Sequence, residues 1–402
     1  MTIRKLTAKE KFEAYKLALY CFHQRVENIE ENREKYEKDE LESWGAFDEK
    51  NNLMAQILNN HYEFYLDGKA VKTGGIGAVS TYPEYRDSGA IREIFNHLLP
   101  QAYKNGEVIS ALFPFNHKFY RKFGYEVIPF KNEYNFAPSV LKDYQKLNFD
   151  KEGYSIHRWT LGESLKAFLE VYTEFAAKHN LSAVRNEEQM KNHLKYEKEY
   201  QDRRFSYLFT YKEKAIAYLI FKDEYNPEAA HLKVEEAAWT CRDGFYAILN
   251  FLSRFGADYG SITLPLPMGI DFLKIVHSPD AYNIEKKTAQ HFMLRVINAK
   301  KALELIKKPE NCDFTIKIED DLIKENNICL RVLNDRVEAI NTRDTFKGAF
   351  DIEVNIRALS QLASGAASLD EAELREDVKI NDKREMLSQC FCQRNIFVSE
   401  SF

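Results

Sequence analysis

The chain has 402 residues, of which 45% are hydrophobic and 30% are charged, and its formal net charge is −5. This length predicts two or three domains, and the composition is typical of a globular protein and excludes global disorder. The slightly acidic balance excludes the basic surface of a nucleic-acid-binding protein. No apolar run reaches the ~18 residues of a membrane span.

The first residues contain neither an apolar segment nor a small-residue cleavage site, so the sequence predicts no signal peptide and a cytoplasmic location. The six cysteines form no CxxC pair, and no paired-histidine pattern accompanies them. We therefore expect free thiols in a reducing compartment and no metal site.

A helix is predicted from residue 7 onward. Thr7 and Glu10 form a capping-box pattern, in which both side chains satisfy backbone N–H groups at the helix start. The apolar residues that follow at helical spacing are Phe12, Tyr15, Leu19 and Phe22. The charged stretch from Glu27 to Glu42 predicts solvent-exposed helices, and the alternative is an acidic entrance that attracts cations.

A hairpin and a βαβ unit are predicted next. Asp67-Gly68 lies between two strand-like runs and favours the positive φ angles of a tight hairpin turn. A separate strand over 76–82, a helix from about Gly89 and a strand over 108–113 then follow. Strand, helix and strand in this order predict two parallel strands in one sheet.

The middle segment has a similar element order without a clear sequence period. A helical stretch over 165–176 precedes two strand-like runs over 207–211 and 215–221, and a helix is predicted over 244–255. This pattern predicts a second mixed α/β unit and gives a weak indication of duplication.

A third segment is predicted to begin near Met293. Alternating apolar residues over 314–318 and 328–332 favour a β-sheet, and a helix is predicted over 358–363. We place the boundaries between the three segments near residues 140 and 288.

The most informative stretch is the loop between the strand over 76–82 and the helix after it. It contains Arg86 and Gly89 in an Arg-x-x-Gly pattern. Backbone N–H groups at a helix start are free of helix hydrogen bonds and suit a pyrophosphate, and a glycine allows close approach of the backbone. An ordinary βα turn with a glycine at the helix start is the alternative interpretation.

Further along the chain, Phe119-Tyr120-Arg121-Lys122-Phe123-Gly124-Tyr125 follows the predicted end of a strand. This run and the Arg-x-x-Gly loop together resemble the GNAT acetyltransferase superfamily. In that superfamily two parallel strands splay apart, and the pantetheine arm of acetyl-CoA pairs with the first of them. Over its full length, including its end at Phe402, the chain resembles the enhanced intracellular survival protein family.

The resemblance implies an α/β (α+β) fold of three parts. A GNAT domain that binds acetyl-CoA is expected over 1–140, and a degenerate second GNAT-like domain over 141–288. A domain like the sterol carrier proteins, with a catalytic C-terminus, is expected over 289–402. Residues 241–244 of the second part lack the Arg-x-x-Gly spacing, and we expect no CoA site there.

The resemblance also implies which residues bind the cofactor. The matching residues are Val79, Ser80 and Thr81 in the strand, Arg86, Asp87, Ser88, Gly89, Ala90, Ile91 and Arg92 in the loop, and Phe115 and Asn116 after the next strand. Asn116 fits a helix N-cap equally well. Asp87 and Ser88 stand where many relatives have basic residues, so phosphate binding would depend on Arg86 and backbone N–H groups.

Two catalytic residues follow from the same resemblance. Tyr120 matches the group that protonates the departing thiolate, although its aromatic neighbours also favour a role in the core. The free carboxylate of Phe402 matches a group that accepts a proton or orients the cationic amine, and a frayed terminus is the alternative. His23 and His117 are alternative bases, and we expect Tyr125 to pack in the core.

The implied function is transfer of an acetyl group from acetyl-CoA to primary amines. The acceptor would be a polycationic small molecule, similar to an aminoglycoside or a polyamine, or a protein lysine. A homo-oligomer, with a hexamer as the specific expectation, is implied as well. The competing hypothesis is a non-catalytic module that binds an apolar ligand or CoA.

Overall fold

A computed structural model describes residues 1–39, 41–146, 153–158, 164–194, 199–224, 230–340 and 349–400. These residues form two seven-stranded sheets and one five-stranded sheet, with helices packed on them. No helix among them has the length and apolarity needed to cross a bilayer.

The first repeat, residues 2–127, contains β1 (Thr2–Lys5), α1 (Ala8–Cys21), α2 (Arg33–Glu37), β2 (Glu42–Phe47), β3 (Leu53–Leu66), β4 (Lys69–Thr81), α3 (Ala90–Lys104), β5 (Ile109–Leu112), α4 (His117–Arg121) and β6 (Glu126–Val127). Strands β1 to β5 lie side by side in chain order. Neighbouring strands are antiparallel except β4 and β5, which are parallel, as the sequence predicts.

The second repeat, residues 154–266, contains β8 (Tyr154–Arg158), α6 (Leu165–Ala176), α7 (Glu187–Leu194), α8 (Glu199–Asp202), β9 (Arg204–Tyr211), β10 (Lys214–Glu224), β11 (His231–Trp239), α9 (Arg242–Leu252) and β12 (Ser261–Leu266). Its strands also lie in chain order, with only β11 and β12 parallel. The two repeats therefore share one topology, and the weak indication of duplication is confirmed.

The two repeats exchange strands. The elements involved are β7 (Lys131–Phe136), which α5 (Lys142–Gln145) follows, β13 (Glu285–Ala289) and β14 (Met293–Val296). Strand β7 pairs with β12 and β13 in the second sheet, whereas β14 pairs with β5 and β6 in the first. Each borrowed strand satisfies the backbone groups of a strand that would otherwise form a sheet edge.

This exchange of strands contradicts the expected place of Met293 and bears on the two expected domain boundaries. Met293 was expected to open the third segment, but its strand completes the sheet of the first repeat. The chain crosses from the first sheet to the second between residues 127 and 131 and returns between residues 289 and 293, whereas the expected boundaries lie near residues 140 and 288. The division into 1–140, 141–288 and 289–402 stays a prediction.

The C-terminal unit contains α10 (Ala299–Leu305), β15 (Asp313–Glu319), β16 (Ile328–Leu333), β17 (Val337–Ala339), β18 (Ile352–Asn355), α11 (Ile356–Ser364), α12 (Leu369–Glu373), β19 (Val378–Ile380) and α13 (Arg384–Cys390). Its sheet has the order β17-β16-β15-β18-β19. One hydrophobic core joins this unit to the face of the first sheet that lies opposite α3.

Local sequence signals explain several of these elements. The backbone N–H of Thr7 donates to the Glu10 carboxylate over 2.8 Å, so the expected capping box forms. Asp67 and Gly68 have φ angles of +47° and +80°, as a tight hairpin turn requires. Phe22, however, was expected on the buried helix face and is 52% exposed, because α1 ends one residue earlier.

Candidate active site

The site begins where β4 and β5 separate. The two strands pair from Thr73 and Ile109 to Ile76 and Leu112, but β4 continues to Thr81. The sequence predicts a separate strand over 76–82, whereas the structure has one long strand with an irregularity inside it. Among the described residues, the last part of β4 therefore has no partner on its β5 side.

A β-bulge accompanies this separation. Ala78 and Val79 of β4 together oppose the single residue Ile57 of β3, because the pairing register shifts by one residue there. Ala78 has a φ angle of +48°, which is uncommon for a residue other than glycine. A bulge bends its strand and increases the local twist, so β4 turns away from β5 at this point.

A cavity of about 840 Å³ lies beside the unpaired end of β4 and the start of α3. The predicted cofactor residues that line it are Val79, Ser80, Thr81, Arg86, Asp87, Ser88, Gly89, Ala90, Ile91, Arg92 and Phe115. Asn116 is the predicted cofactor residue that does not line it. Its side chain instead accepts a hydrogen bond from the Phe119 N–H over 3.1 Å, so the N-cap interpretation holds.

Gly89 shapes the end of the cavity at the start of α3. Its φ angle is +82°, and a side chain there would meet no atom within 4 Å. The glycine is therefore explained by its backbone conformation, and the surrounding space is open. The first N–H groups of α3 have no acceptor within the helix, and the helix dipole makes this end positive, so it suits an anion.

Tyr120 lies in α4 behind two aromatic residues that line the cavity. Its ring contacts Phe115 and Phe119 edge to face, with centroid distances of 5.4 Å and 5.2 Å, and it is 2% exposed. Burial raises the pKa of its phenol above the ordinary value of 10, so the group stays protonated at neutral pH. Within the described chain its hydroxyl makes no hydrogen bond.

Tyr125 differs from Tyr120 although it lies nearby. Its hydroxyl is 2.7 Å from the Ser110 hydroxyl, and the residue is fully buried. Tyr125 therefore packs in the core, as expected. Of the alternative bases, His23 is exposed and His117 is partly buried at the start of α4.

The sequence also matches the models of two known protein families. Residues 2–128 match the family model of the GNAT acetyltransferase domain, and residues 299–399 match that of the sterol carrier protein domain. The N-terminal domain belongs to the GNAT acetyltransferases. No curated protein sequence matches the chain.

Several solved structures share the fold of the whole chain. A probable N-acyltransferase from Enterococcus faecalis is 20% identical over 100% of this chain and 99% of its own, with a TM-score of 0.85. A GCN5-related N-acetyltransferase from Anabaena variabilis is 18% identical, and Eis1 from Mycobacterium abscessus is 17% identical. Both alignments cover 100% of each chain with a TM-score of 0.82. The chain therefore has the Eis-like fold of two tandem GNAT domains and a sterol-carrier-protein-like domain.

The start of the helix that follows the parallel strand is packed more closely in the second GNAT-like domain than in the first. Helix α9 of the second domain begins at Arg242, three residues after β11 ends, and packs directly on β10. A side chain at Gly244 would lie 2.5 Å from the carbonyl oxygen of Ile216. This glycine therefore permits close contact between helix and strand, whereas Gly89 borders open space.

The described end of the chain is bound between the two GNAT-like domains. The Phe397 N–H donates to the carbonyl of Asn180 over 3.1 Å, and the Ser182 hydroxyl donates to the carbonyl of Phe397 over 2.7 Å. Phe397 is 1% exposed. The tail is therefore docked as far as it is described, whereas Phe402 lies outside the described residues.

Sequence reasoning missed several parts of the site. The bulge at Ala78 has no local signal, because alanine is an ordinary strand residue. Cys21 and Phe22 line the cavity, and the Cys21 thiol is 3.5 Å from the carbonyl oxygen of Thr81. No sequence signal marked Phe22, because its spacing placed it on the apolar face of the predicted helix. Among the described residues, no group of three His, Cys, Asp or Glu side chains could hold a metal ion.

Proposed function

We propose that the chain transfers an acetyl group from acetyl-CoA to primary amines of a polycationic small molecule or of protein lysines. The observation that carries this proposal is the opening between β4 and β5 at the Ala78 bulge, which leads to the positive end of α3. The match of residues 2–128 to the GNAT acetyltransferases supports it.

The cavity has the volume of a small-molecule site, and acetyl-CoA bound there would supply the acetyl group as a thioester. The free backbone groups of Val79 to Thr81 would bind the pantetheine arm as an added strand would. The N–H groups at the start of α3, together with Arg86, would bind the pyrophosphate. Asp87 and Ser88 add no positive charge, so the backbone carries most of this interaction.

The proposed catalytic role of Tyr120 is to protonate the departing thiolate. Its phenol is protonated, is held by aromatic neighbours and lies next to the lining of the cavity. The same dry surroundings raise the pKa of a thiol formed there, which offsets part of the rise in the pKa of the phenol. A backbone N–H near Val79 would stabilise the negative charge that develops on the carbonyl oxygen.

The proposed partner of Tyr120 is the carboxylate of Phe402. What supports a role for the tail is that it is bound to the protein up to Glu400 rather than frayed. A carboxylate attracts and orients a cationic amine even where it is too weak a base to deprotonate it. The net charge of −5 is consistent with a cationic acceptor.

The test is release of free CoA thiol from acetyl-CoA in the presence of polyamines, aminoglycosides and lysine peptides. We expect release with at least one amine, and loss of release in a chain extended by three glycines after Phe402. The unextended chain, purified in the same way, serves as the control. Failure of the protein to bind acetyl-CoA would contradict the proposal and favour the apolar-ligand module.

The sequence predicts a cytoplasmic location, and the resemblance predicts a homo-oligomer, with a hexamer as the specific expectation. Sedimentation analysis at several concentrations measures the assembly directly. A single species at the mass of one chain would contradict this part of the proposal and would leave the proposed chemistry unaffected.

A further inference from the structure

Two buried thiols meet in the C-terminal unit. Cys312 lies directly before β15, Cys390 is the last residue of α13, and their Sγ atoms are 3.6 Å apart. The two residues are 4% and 1% exposed. Among the six cysteines, all of which the structure describes, this is the one pair whose sulfur atoms lie within hydrogen-bond distance of each other. The contact is made by the fold, because the two residues are 78 positions apart in the chain.

The surroundings hold the two thiols toward each other. Two cysteines can be bridged without backbone movement only where their side chains point toward each other, as those of Cys312 and Cys390 do. The Cys312 thiol also lies 3.8 Å from the carbonyl oxygen of Val332. Phe391, which follows Cys390, is fully buried and contacts the Phe314 ring at a centroid distance of 5.7 Å. Small rotations of the two side chains therefore bring the sulfur atoms to bonding distance.

The two thiols differ in acidity. The thiol of Cys390 donates a hydrogen bond to the sulfur of Cys312, and this bond, together with the nearby ammonium of Lys308, lowers the pKa of Cys312. The same hydrogen bond and burial raise the pKa of Cys390. The thiolate is the reactive form of a cysteine, so Cys312 is the nucleophile of the pair and Cys390 is its thiol partner.

We propose that Cys312 and Cys390 form a reversible disulfide when the chain is exposed to hydrogen peroxide. The Cys312 thiolate attacks one peroxide oxygen, so that an S–O bond forms and the O–O bond breaks, and the released hydroxide takes up the proton that the Cys312 thiol lost. The Cys390 sulfur then attacks the sulfenic acid: an S–S bond forms, the S–O bond breaks, and hydroxide leaves as water with the Cys390 proton. Two thiols and one peroxide thus give one disulfide and two waters.

The disulfide joins the two ends of the C-terminal unit. Cys312 follows α10, the first helix of this unit, and Cys390 ends α13, its last helix. A disulfide that closes so long a loop restricts the unfolded chain, so oxidation stabilises the unit. The inference is independent of the proposed acetyl transfer, because neither cysteine lines the cavity beside β4.

The experiment treats the folded full chain with hydrogen peroxide, blocks the remaining thiols under denaturing conditions and maps the unreduced peptides by mass spectrometry. We expect a cross-linked peptide pair that contains Cys312 and Cys390 and that disappears after treatment with dithiothreitol. The oxidised chain should melt about 5 °C above the reduced chain. The exposed Cys241 is the internal reference, because its oxidation shows that the dose of peroxide was sufficient.

Two variants test the roles of the two thiols. Cys390→Ala removes the thiol that attacks the sulfenic acid, so dimedone, which labels sulfenic acids, should label Cys312 about tenfold more in this variant than in the unaltered chain. Cys329→Ala is the matched control, since Cys329 lies partly buried in β16 of the same unit. This control should form the disulfide between Cys312 and Cys390 as the unaltered chain does.

Two results would overturn the proposal. One is absence of the cross-linked peptide pair at a dose of peroxide that oxidises Cys241. The other is a disulfide that forms equally fast in the chain unfolded by urea, because the fold would then not be what brings the two thiols together. If Cys390→Ala does not fold, the unaltered chain and Cys329→Ala decide between these outcomes.

Discussion

The two GNAT-like repeats have the same order of strands and helices, yet the start of the helix that follows the parallel strand borders open space in the first repeat and packs closely in the second. In the first repeat, β4 carries the bulge at Ala78, and the following loop borders open space at Gly89. In the second repeat, β11 also has an irregular register, at Glu235, but no residue of this fully described strand has a positive φ. Its next helix packs tightly through Gly244.

The difference shows how one topology can carry two different surfaces. The buried face of the second sheet holds Arg185 and Glu236 and, with Phe175 and His179, contacts the C-terminal tail. The first repeat provides the cavity, and the second provides the surface that docks the end of the chain. Four predictions test this division, beginning with the largest expected effect.

The first prediction concerns Tyr120, the proposed catalytic residue of the first repeat. Tyr120→Phe should lower kcat by about a hundredfold or more with little change in the KM of acetyl-CoA, because general acid catalysis contributes effects of this size. Tyr125→Phe is the matched control, since its hydroxyl only bonds Ser110 and its loss should cost about 1 kcal/mol of stability. Steady-state thiol release measures both, and equal kcat losses would contradict the assignment.

The second prediction concerns acid stability of the docked tail. Burial lowers the pKa of His179 from 6.5 to about 4, and its ring contacts Phe397. As the pH falls, His179 therefore becomes protonated at a higher pH in the unfolded chain than in the folded chain. The free energy of unfolding should fall by roughly 2 kcal/mol as the pH drops from 7.5 to 4.5 through this group alone.

His179→Gln removes this titration, so its free energy of unfolding should fall less over the same pH range. Urea unfolding of both proteins at pH 7.5, 6 and 4.5 measures the difference. Parallel pH profiles for the two proteins would show that His179 does not carry the effect.

The third prediction compares the two glycines. Gly89→Ala places a side chain at a φ of +82° but in open space, so it should cost about 1 kcal/mol and weaken acetyl-CoA binding several-fold. Gly244→Ala forces a clash with a backbone carbonyl and should reduce stability by about 1 to 3 kcal/mol while acetyl-CoA affinity is kept.

Titration calorimetry and urea unfolding of both glycine variants provide the readouts. Weaker acetyl-CoA binding in a folded Gly244→Ala protein would break the distinction between the repeats. An unchanged affinity in Gly89→Ala would remove the α3 start from the proposed cofactor site.

The smallest effect is expected at His61 in the first repeat. Hydrogen bonds to Glu107 and Glu42 raise the pKa of His61 from 6.5 to about 9. The stabilisation is therefore complete below about pH 6.5 and is lost as the pH rises through 9. The half-exposed ring is screened by solvent, so His61→Gln should cost under about 1 kcal/mol at pH 6 and nothing near pH 10.

Urea unfolding at these two pH values measures the effect. If the loss of stability caused by His61→Gln grew as the pH rose, the predicted direction of the pH dependence would be wrong. The pKa values of His61 and His179 are thus shifted in opposite directions, so the stability contributed by each repeat should depend on pH in a different way.

The sequence predicted local features well where the signal was short and chemical. The Thr7 cap, the Asp67-Gly68 turn and the parallel pairing of β4 and β5 all form as expected. The loop from Arg86 to Arg92 lines one cavity, because a strand–loop–helix order places such residues at one end of a sheet. These features depend on neighbours in the chain.

Features that depend on distant parts of the chain were not predicted. The exchange of β7 and β14 follows from edge pairing between units more than a hundred residues apart, which periodicity does not record. The ion pairs of Arg185 left no signal in the sequence, because they join it to Glu236 and Glu400, which are distant in the chain. The role of Tyr120 could be proposed only from a resemblance, because burial among aromatic residues is equally typical of a core position.

Hydrogen exchange with and without saturating acetyl-CoA tests the central claim most directly, since that claim is that one repeat alone holds the cofactor. We predict that acetyl-CoA slows exchange of the amides at residues 79–92 and leaves those at residues 235–246 unchanged. Slowed exchange at residues 235–246, or no change at residues 79–92, would contradict the account.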